Sequence, residues 1–169
     1  MKNTKDFAVS LVKAAMNKGA SAAEVMVVEG SEFSVGVRLG EIEKLKDSAS
    51  QHLGLRVLWE GRQAALSTSD FSREALDRLV QEAVELAQMT SVDDQLCLPD
   101  EADYAKDWPD LALYDSELAT LATDKKIDLA LAVEASAKNT DPRIVNFDGG
   151  GFDAACRGVI MANSAGFVG

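Results

Sequence analysis

Two carboxylates, Glu41 and Glu43, stand two residues apart in the stretch VRLGEIEKLK. On a strand that spacing puts both on one face, where paired carboxylates can form an acid/base couple or begin a metal site. Lys44 and Lys46 follow at once, and neutralising cations without a burying environment keep carboxyls out of the acid/base range. The stretch therefore reads as a solvated hairpin corner. His52 is the single histidine, whereas a zinc hydrolase needs about three protein ligands, commonly His with Glu or Cys, and a water. It sits on the polar side of an alternating segment and reads as a surface residue. Cys97 and Cys156 are far apart and lack the close spacing of a zinc or redox site, so they read as free thiols in a reducing cytosol. Cys156, among Ala154, Ala155 and Gly158, reads as a buried small side chain. Asp148-Gly149-Gly150-Gly151 could make a backbone nest for an anion, but the Gly-Lys-Ser/Thr of a phosphate loop does not follow. Turn chemistry accounts for it. Ser164 has no base assignable to it. On these grounds no catalytic, cofactor-binding or metal-ligating residue is assigned to the chain.

The elements that would position these residues follow from periodicity. Phe7, Leu11, Val12 and Ala15 fall on helical spacing, with Thr4 as N-cap and Gly19 just past the end. The segment 23–29 is rich in β-branched residues and predicts a strand. Phe33, Val35, Val37 and Leu39 alternate with Ser34, Gly36, Arg38 and Gly40 and predict another, half-buried one, ended by a Gly40-Glu41 turn. Leu53, Leu55, Val57 and Trp59 predict a further strand with these four on one face and His52, Gly54 and Arg56 on the other. Glu60-Gly61 turns the chain into 62–68, with Ala64 and Leu66 inward. The helix over 72–88 carries Leu76, Leu79, Val80, Ala83 and Ala87 as one stripe, expected to pack on Leu53, Leu55, Val57 and Trp59.

Composition changes after Thr90. Between Asp93 and Glu117 nine acids face one base, Lys106, and two of the three prolines, Pro99 and Pro109, fall here. This is a linker that Leu98, Tyr104, Trp108, Leu111, Leu113 and Tyr114 could pin to a neighbouring surface. An alanine-rich helix over 124–138, apolar on more than one side and so expected to be covered, opens a second unit. Strands at 144–147 and 152–163 follow, and the chain ends in apolar residues with no evident partner strand. The expected fold class is α+β: helix, antiparallel meander of four to five strands, helix, acidic linker, then an incomplete second α/β unit. The domains are expected at 1–92, 93–118 (linker) and 119–169. Val159, Met161, Phe167 and Val168 would then lie on strands short of neighbours, which predicts self-association.

With 28 acidic and 17 basic residues the net charge is −11, so a phosphate backbone is repelled and direct nucleic-acid binding is not expected. No segment approaches the length of a membrane span. The expected location is the cytoplasm.

The stretch GASAAEVMVVEGSEFSVGVRLGEIEKLKDSASQHLGLRVLWEGRQAALSTSDFSREALDRLVQEAVELAQMTSVDD resembles the first domain of the TldD/PmbA proteins, historically labelled modulators of DNA gyrase. LPDEADYA, PDLALYD and DPRIVNFDGGGFDAACRGVIMANSAGF look like the PmbA (TldE) branch entering its second domain. The resemblance implies an N-terminal, non-catalytic part of a longer PmbA/TldE-like subunit. Such a subunit would assemble with a TldD-type zinc metallopeptidase, or with itself, to process or degrade small or unfolded peptides. Zinc would belong to the TldD-type partner, whose His-Glu-x-x-x-His helix has no matching position here. The alternative reading is a protein-interaction module that modulates DNA gyrase or another partner.

Overall fold

The computed structural model of the chain describes residues 2–107 and 109–169. Its elements are α1 (Lys2–Asn17), β1 (Ala22–Arg38), β2 (Glu41–Trp59), β3 (Arg62–Thr68), α2 (Arg73–Met89), the short α3 (Ser116–Ala119), α4 (Thr123–Thr140) and β4 (Gly150–Asn163). The strands form one sheet in the order β3-β2-β1-β4. This is the expected α+β class with four strands.

Local chemistry explains most boundaries. Helix α1 begins at Lys2, so Thr4 lies inside it rather than at its N-cap. It ends as expected at Gly19 (φ 98°). The Gly19 amide donates to the Met16 carbonyl and the Ala20 amide to that of Ala15, which together satisfy the last carbonyls of the helix. Helix α2 starts at Ser72, whose hydroxyl accepts from the Ala75 amide at 3.3 Å. Asp70, just before it, accepts from the Ser72 amide at 2.8 Å, and this bond, helped by the Ser72 side chain, holds its carboxyl below the usual aspartate range. The β2–β3 turn, Glu60-Gly61, has φ of 46° and 73°, as a two-residue hairpin with right-handed strand twist requires.

Three expectations are corrected. The strands predicted at 23–29 and 33–39 are one 17-residue strand, because Gly30-Ser31-Glu32 continues the ladder instead of turning. The turn between β1 and β2 is Leu39-Gly40, with φ of 56° and 81°. Leu39 is therefore 77% exposed and not inward, and Glu41 already belongs to β2. No strand forms at 144–147. Asp141 caps a turn there by accepting from the Arg143 amide and guanidinium, the Ile144 amide closes on the Asp141 carbonyl, and Val145 is left exposed without a ladder to join.

Two compact units emerge, each assembled from separate stretches. The first comprises residues 1–29, 50–108 and 158–169, the second 30–49 and 109–157. In the first, Leu11, Val12 and Ala15 of α1 and Leu76, Leu79, Val80 and Ala83 of α2 close over Val25, Val27, Leu53, Leu55, Val57, Ile160 and Ala162. Trp59 packs partly buried against this cluster, in the predicted register. The terminal residues expected to lack a partner pair back on β4, since the Met161 and Gly169 amides and carbonyls exchange bonds at 2.8 and 2.9 Å. Tyr104 stacks on Phe167 at 4.8 Å and its hydroxyl accepts from the Asn163 side chain at 2.7 Å. Of the linker residues expected to act as pins, Tyr104 does so in this way, whereas Leu111, Leu113 and Tyr114 are exposed and Trp108 lies outside the described residues.

The second unit has a smaller core of Phe33, Val35, Val37 and Ala130, with Ile127, Leu131 and Phe152 against it. Helix α4, expected to be covered, buries only the side that faces this core. Leu129 and Val133 remain 46% and 53% exposed.

Leu55 is 1% exposed at the centre of the larger core. Leu55→Ala should lower the unfolding free energy by about 2–5 kcal/mol, measured by chemical denaturation followed through Trp59 fluorescence.

Candidate functional site

The second unit contains a strained hairpin turn held by a buried carboxylate. Leu39, a branched residue at φ 56°, carries a conformational cost of about 1–2 kcal/mol, and such strain persists where surrounding groups enforce it. Glu134 of α4 supplies that enforcement. Its carboxylate, on a residue only 5% exposed, accepts from the Leu39 amide at 2.5 Å and from the Gly40 amide at 2.9 Å. A buried carboxylate is costly unless hydrogen-bonded, and two successive hairpin amides form a concave donor pair that suits an anion. The side chain and the turn therefore satisfy each other.

Two of the three glycines after Asp148, Gly149 and Gly150, are demanded by the same packing. A Cβ at Gly149 would lie 2.0 Å from the Val37 carbonyl oxygen, and one at Gly150 would lie 2.4 Å from that of Ala130. Only glycine allows this segment to pass between β1 and α4. The Asp148 turn is therefore a close crossing of backbones, which the turn reading of the sequence did not specify. Glu134 was missed by sequence reasoning, although it completes the inward row Ile127, Ala130, Leu131, Glu134 at helical spacing. An acid in that row was the available signal.

The second unit also contains a cleft of about 250 Å³. Its walls come from β1 (Glu32, Phe33), β2 (Asp47), the 113–119 segment, the start of α4 (Lys126) and β4 (Cys156, Arg157). The Lys126 ammonium sits 4.6 Å above the Phe33 ring, an attraction of cation for π-face. Glu32 pairs with Lys46 at 3.0 Å. The Lys46 hydrogen bond, with its charge and that of Arg157, holds the Glu32 carboxyl below the usual glutamate range.

The residues singled out from the sequence are dispersed. Glu41, Glu43 and His52 are exposed on β2. Cys97 is exposed, and Cys156 is half-buried in the cleft rather than enclosed. The Ser164 hydroxyl accepts from the Ala23 amide at 3.1 Å, while its own amide donates to the Ala23 carbonyl at 2.9 Å. That hydroxyl thus serves to join β4 to β1. Among the described residues, no group of three or more His, Cys, Asp and Glu is placed to hold a metal ion, and no helix is long and apolar enough to cross a membrane.

The sheet, its covering helices and this clamp define an α+β domain of a kind also present in known proteins. The description "PmbA/TldA metallopeptidase domain 1" matches residues 23–87. The metalloprotease PmbA homolog of Haemophilus influenzae is 36% identical over 161 residues, covering 95% of this chain and 35% of that protein. Metalloprotease PmbA of Escherichia coli O157:H7 is 34% identical over 146 residues, covering 86% and 32%. Among solved structures, a candidate modulator of DNA gyrase from Bacteroides thetaiotaomicron superposes with a TM-score of 0.82 at 26% identity, covering 100% of this chain and 38% of the other. TldE from Thermococcus kodakarensis, at 16% identity and TM-score 0.77 over 95% of this chain and 35% of the other, shares the fold. The chain belongs to the PmbA/TldD/TldE family and spans about a third of the length of the curated relatives it matches.

Glu134→Ala should destabilise the hairpin by about 1.5–3 kcal/mol, the range for a hydrogen bond to a charged group, and speed amide exchange at Leu39 and Gly40. Glu134→Gln, which keeps one acceptor, should lose less. For Glu32 the lowered folded value sets the sign: its pairing contributes fully above the ordinary glutamate pKa and is lost as pH falls through the lowered value. Lys46→Met should therefore raise the Glu32 midpoint in a carboxyl NMR titration.

Proposed function

We propose that this chain is a non-catalytic part of a PmbA/TldE-like subunit that assembles with a TldD-type zinc metallopeptidase to process or degrade small or unfolded peptides. The similarity to metalloprotease PmbA along 95% of the chain carries the reading. The outer side of α4 supports it. Leu129 and Val133, one turn apart, are about half exposed, and Ala132, Ser136 and Ala137 extend that side without a charge. An uncharged helix stripe of this kind fits a protein partner. In this reading zinc and the residues that activate its water belong to the TldD-type subunit, and the present chain contributes shape and contacts.

A second reading, modulation of DNA gyrase, draws on the 26% identical neighbour described as a candidate gyrase modulator. Coexpression with a TldD-type protein and with the gyrase subunits separates the two. The proposal expects copurification with the TldD-type chain and peptide cleavage that is sensitive to chelators only in the mixture. Leu129→Asp with Val133→Asp should weaken that association at least about tenfold, equivalent to about 1.4 kcal/mol. Retention of gyrase in place of the TldD-type chain would overturn the assembly reading.

A further inference from the structure

The cleft of the second unit contains two cations, Lys126 and Arg157, that form no ion pair among the described residues. The chain carries 28 acids, and the ion pairs of the described residues engage Lys46, Arg56, Arg73, Lys125 and Arg143. Lys126 and Arg157 both line the cleft and form no such pair. Lys126 is held instead over Phe33, 4.6 Å from the ring centroid, a contact that fixes the ammonium without discharging it. Of the acids in the cleft wall, Asp115 is already occupied, since its carboxylate accepts from the Glu117 and Leu118 amides at 2.8 and 3.1 Å, and Asp47 is exposed on β2. Glu32 is hydrogen-bonded to Lys46 at 3.0 Å and feels the Arg157 charge as a smaller contribution.

The opposite rim carries large apolar side chains on either side of Asp115. Leu113, Tyr114 and Leu118 are 88%, 66% and 43% exposed and all three line the same cleft. Exposed large apolar side chains beside unpaired cations describe a recognition surface with two chemistries: an anionic end held by charge, and an aliphatic or aromatic arm held by area. A net charge of −11 repels free anions over most of the surface. A ligand must therefore gain from the apolar rim as well as from the cations. At about 250 Å³ the cleft is below the usual size of a drug-like site, which limits the ligand to a small molecule or the end of a chain.

We propose that this cleft binds a carboxylate attached to an apolar arm, a ligand the size of a dipeptide or an N-acylated amino acid, with the carboxylate at Lys126 and Arg157 and the arm against Leu113, Tyr114 and Leu118. The site needs no metal and no partner subunit, so it stands apart from the assembly proposed above. The carboxylate can come from a chain terminus or from an acidic side chain.

Isotope-edited NMR titrations of the 169-residue chain with acetyl-leucyl-leucine, its C-terminal amide and acetyl-leucyl-glutamate amide test the proposal. The free acid should give saturable shifts confined to 113–119, 126 and 154–157. It should bind at least about fivefold tighter than its amide, the margin expected of one partly exposed charge pair. Lys126→Gln and, separately, Arg157→Gln should reduce that margin while leaving binding of the amide and the remaining spectrum unchanged. If the glutamate amide binds like the free acid, the carboxylate source is a side chain; if it binds like the leucyl amide, the source is a chain terminus. Equal binding of all three probes, shifts elsewhere only, or full affinity in both variants would overturn the proposal.

Discussion

A single carboxylate inside a helix governs the second unit. Glu134 is buried on the inward row of α4 and meets the Leu39 and Gly40 amides at the end of β1. Without those donors the charge would be expensive to bury, and the carboxylate holds in place the φ of 56° that the two-residue hairpin asks of Leu39. The backbone after Asp148 also passes close to both β1 and α4, which Gly149 and Gly150 permit. One polar contact thus fixes the tip of a hairpin and the depth of a helix.

The two units are held by different kinds of interaction. In the first, apolar side chains from two helices and all four strands merge into one cluster, and burial of that area is the dominant stabilising effect. Polar contacts there finish the edges: Ser164 joins β4 to β1, and Asn163, Tyr104 and Phe167 fasten the acidic linker. The second unit buries few apolar residues and leaves Leu39, Ile42, Leu45, Leu129 and Val133 substantially exposed. Its order depends correspondingly more on specific polar geometry and on glycine.

Charge follows the same division of labour. The acids that give the chain its net charge of −11 mostly lie exposed on helix faces and in the linker, where pairs such as Arg73 with Asp77 contribute little. The informative charges are Glu134, buried under the hairpin, and Lys126 and Arg157, which line the cleft without forming an ion pair.

Patterns of period two and period three to four were enough to read the helices α1 and α2, the inward residues Leu53, Leu55, Val57, Ala64, Leu76, Leu79 and Val80, and the Glu60-Gly61 turn, because side-chain alternation depends only on local backbone geometry. The same patterns carried Leu39 inward, since alternation alone does not register where a turn with two positive φ values begins. They also placed a strand at 144–147, where β-favouring residues find no ladder; a strand exists only if another strand pairs with it. The order of residues along 19–94 and in the later segments was enough to indicate the family, because similarity over many positions needs no knowledge of contacts. Residues 39 and 134, and 33, 114, 126 and 157, are separated by long stretches of chain. Which of them meet is decided by how helix and strands pack, so the clamp and the cleft belong to the tertiary structure alone.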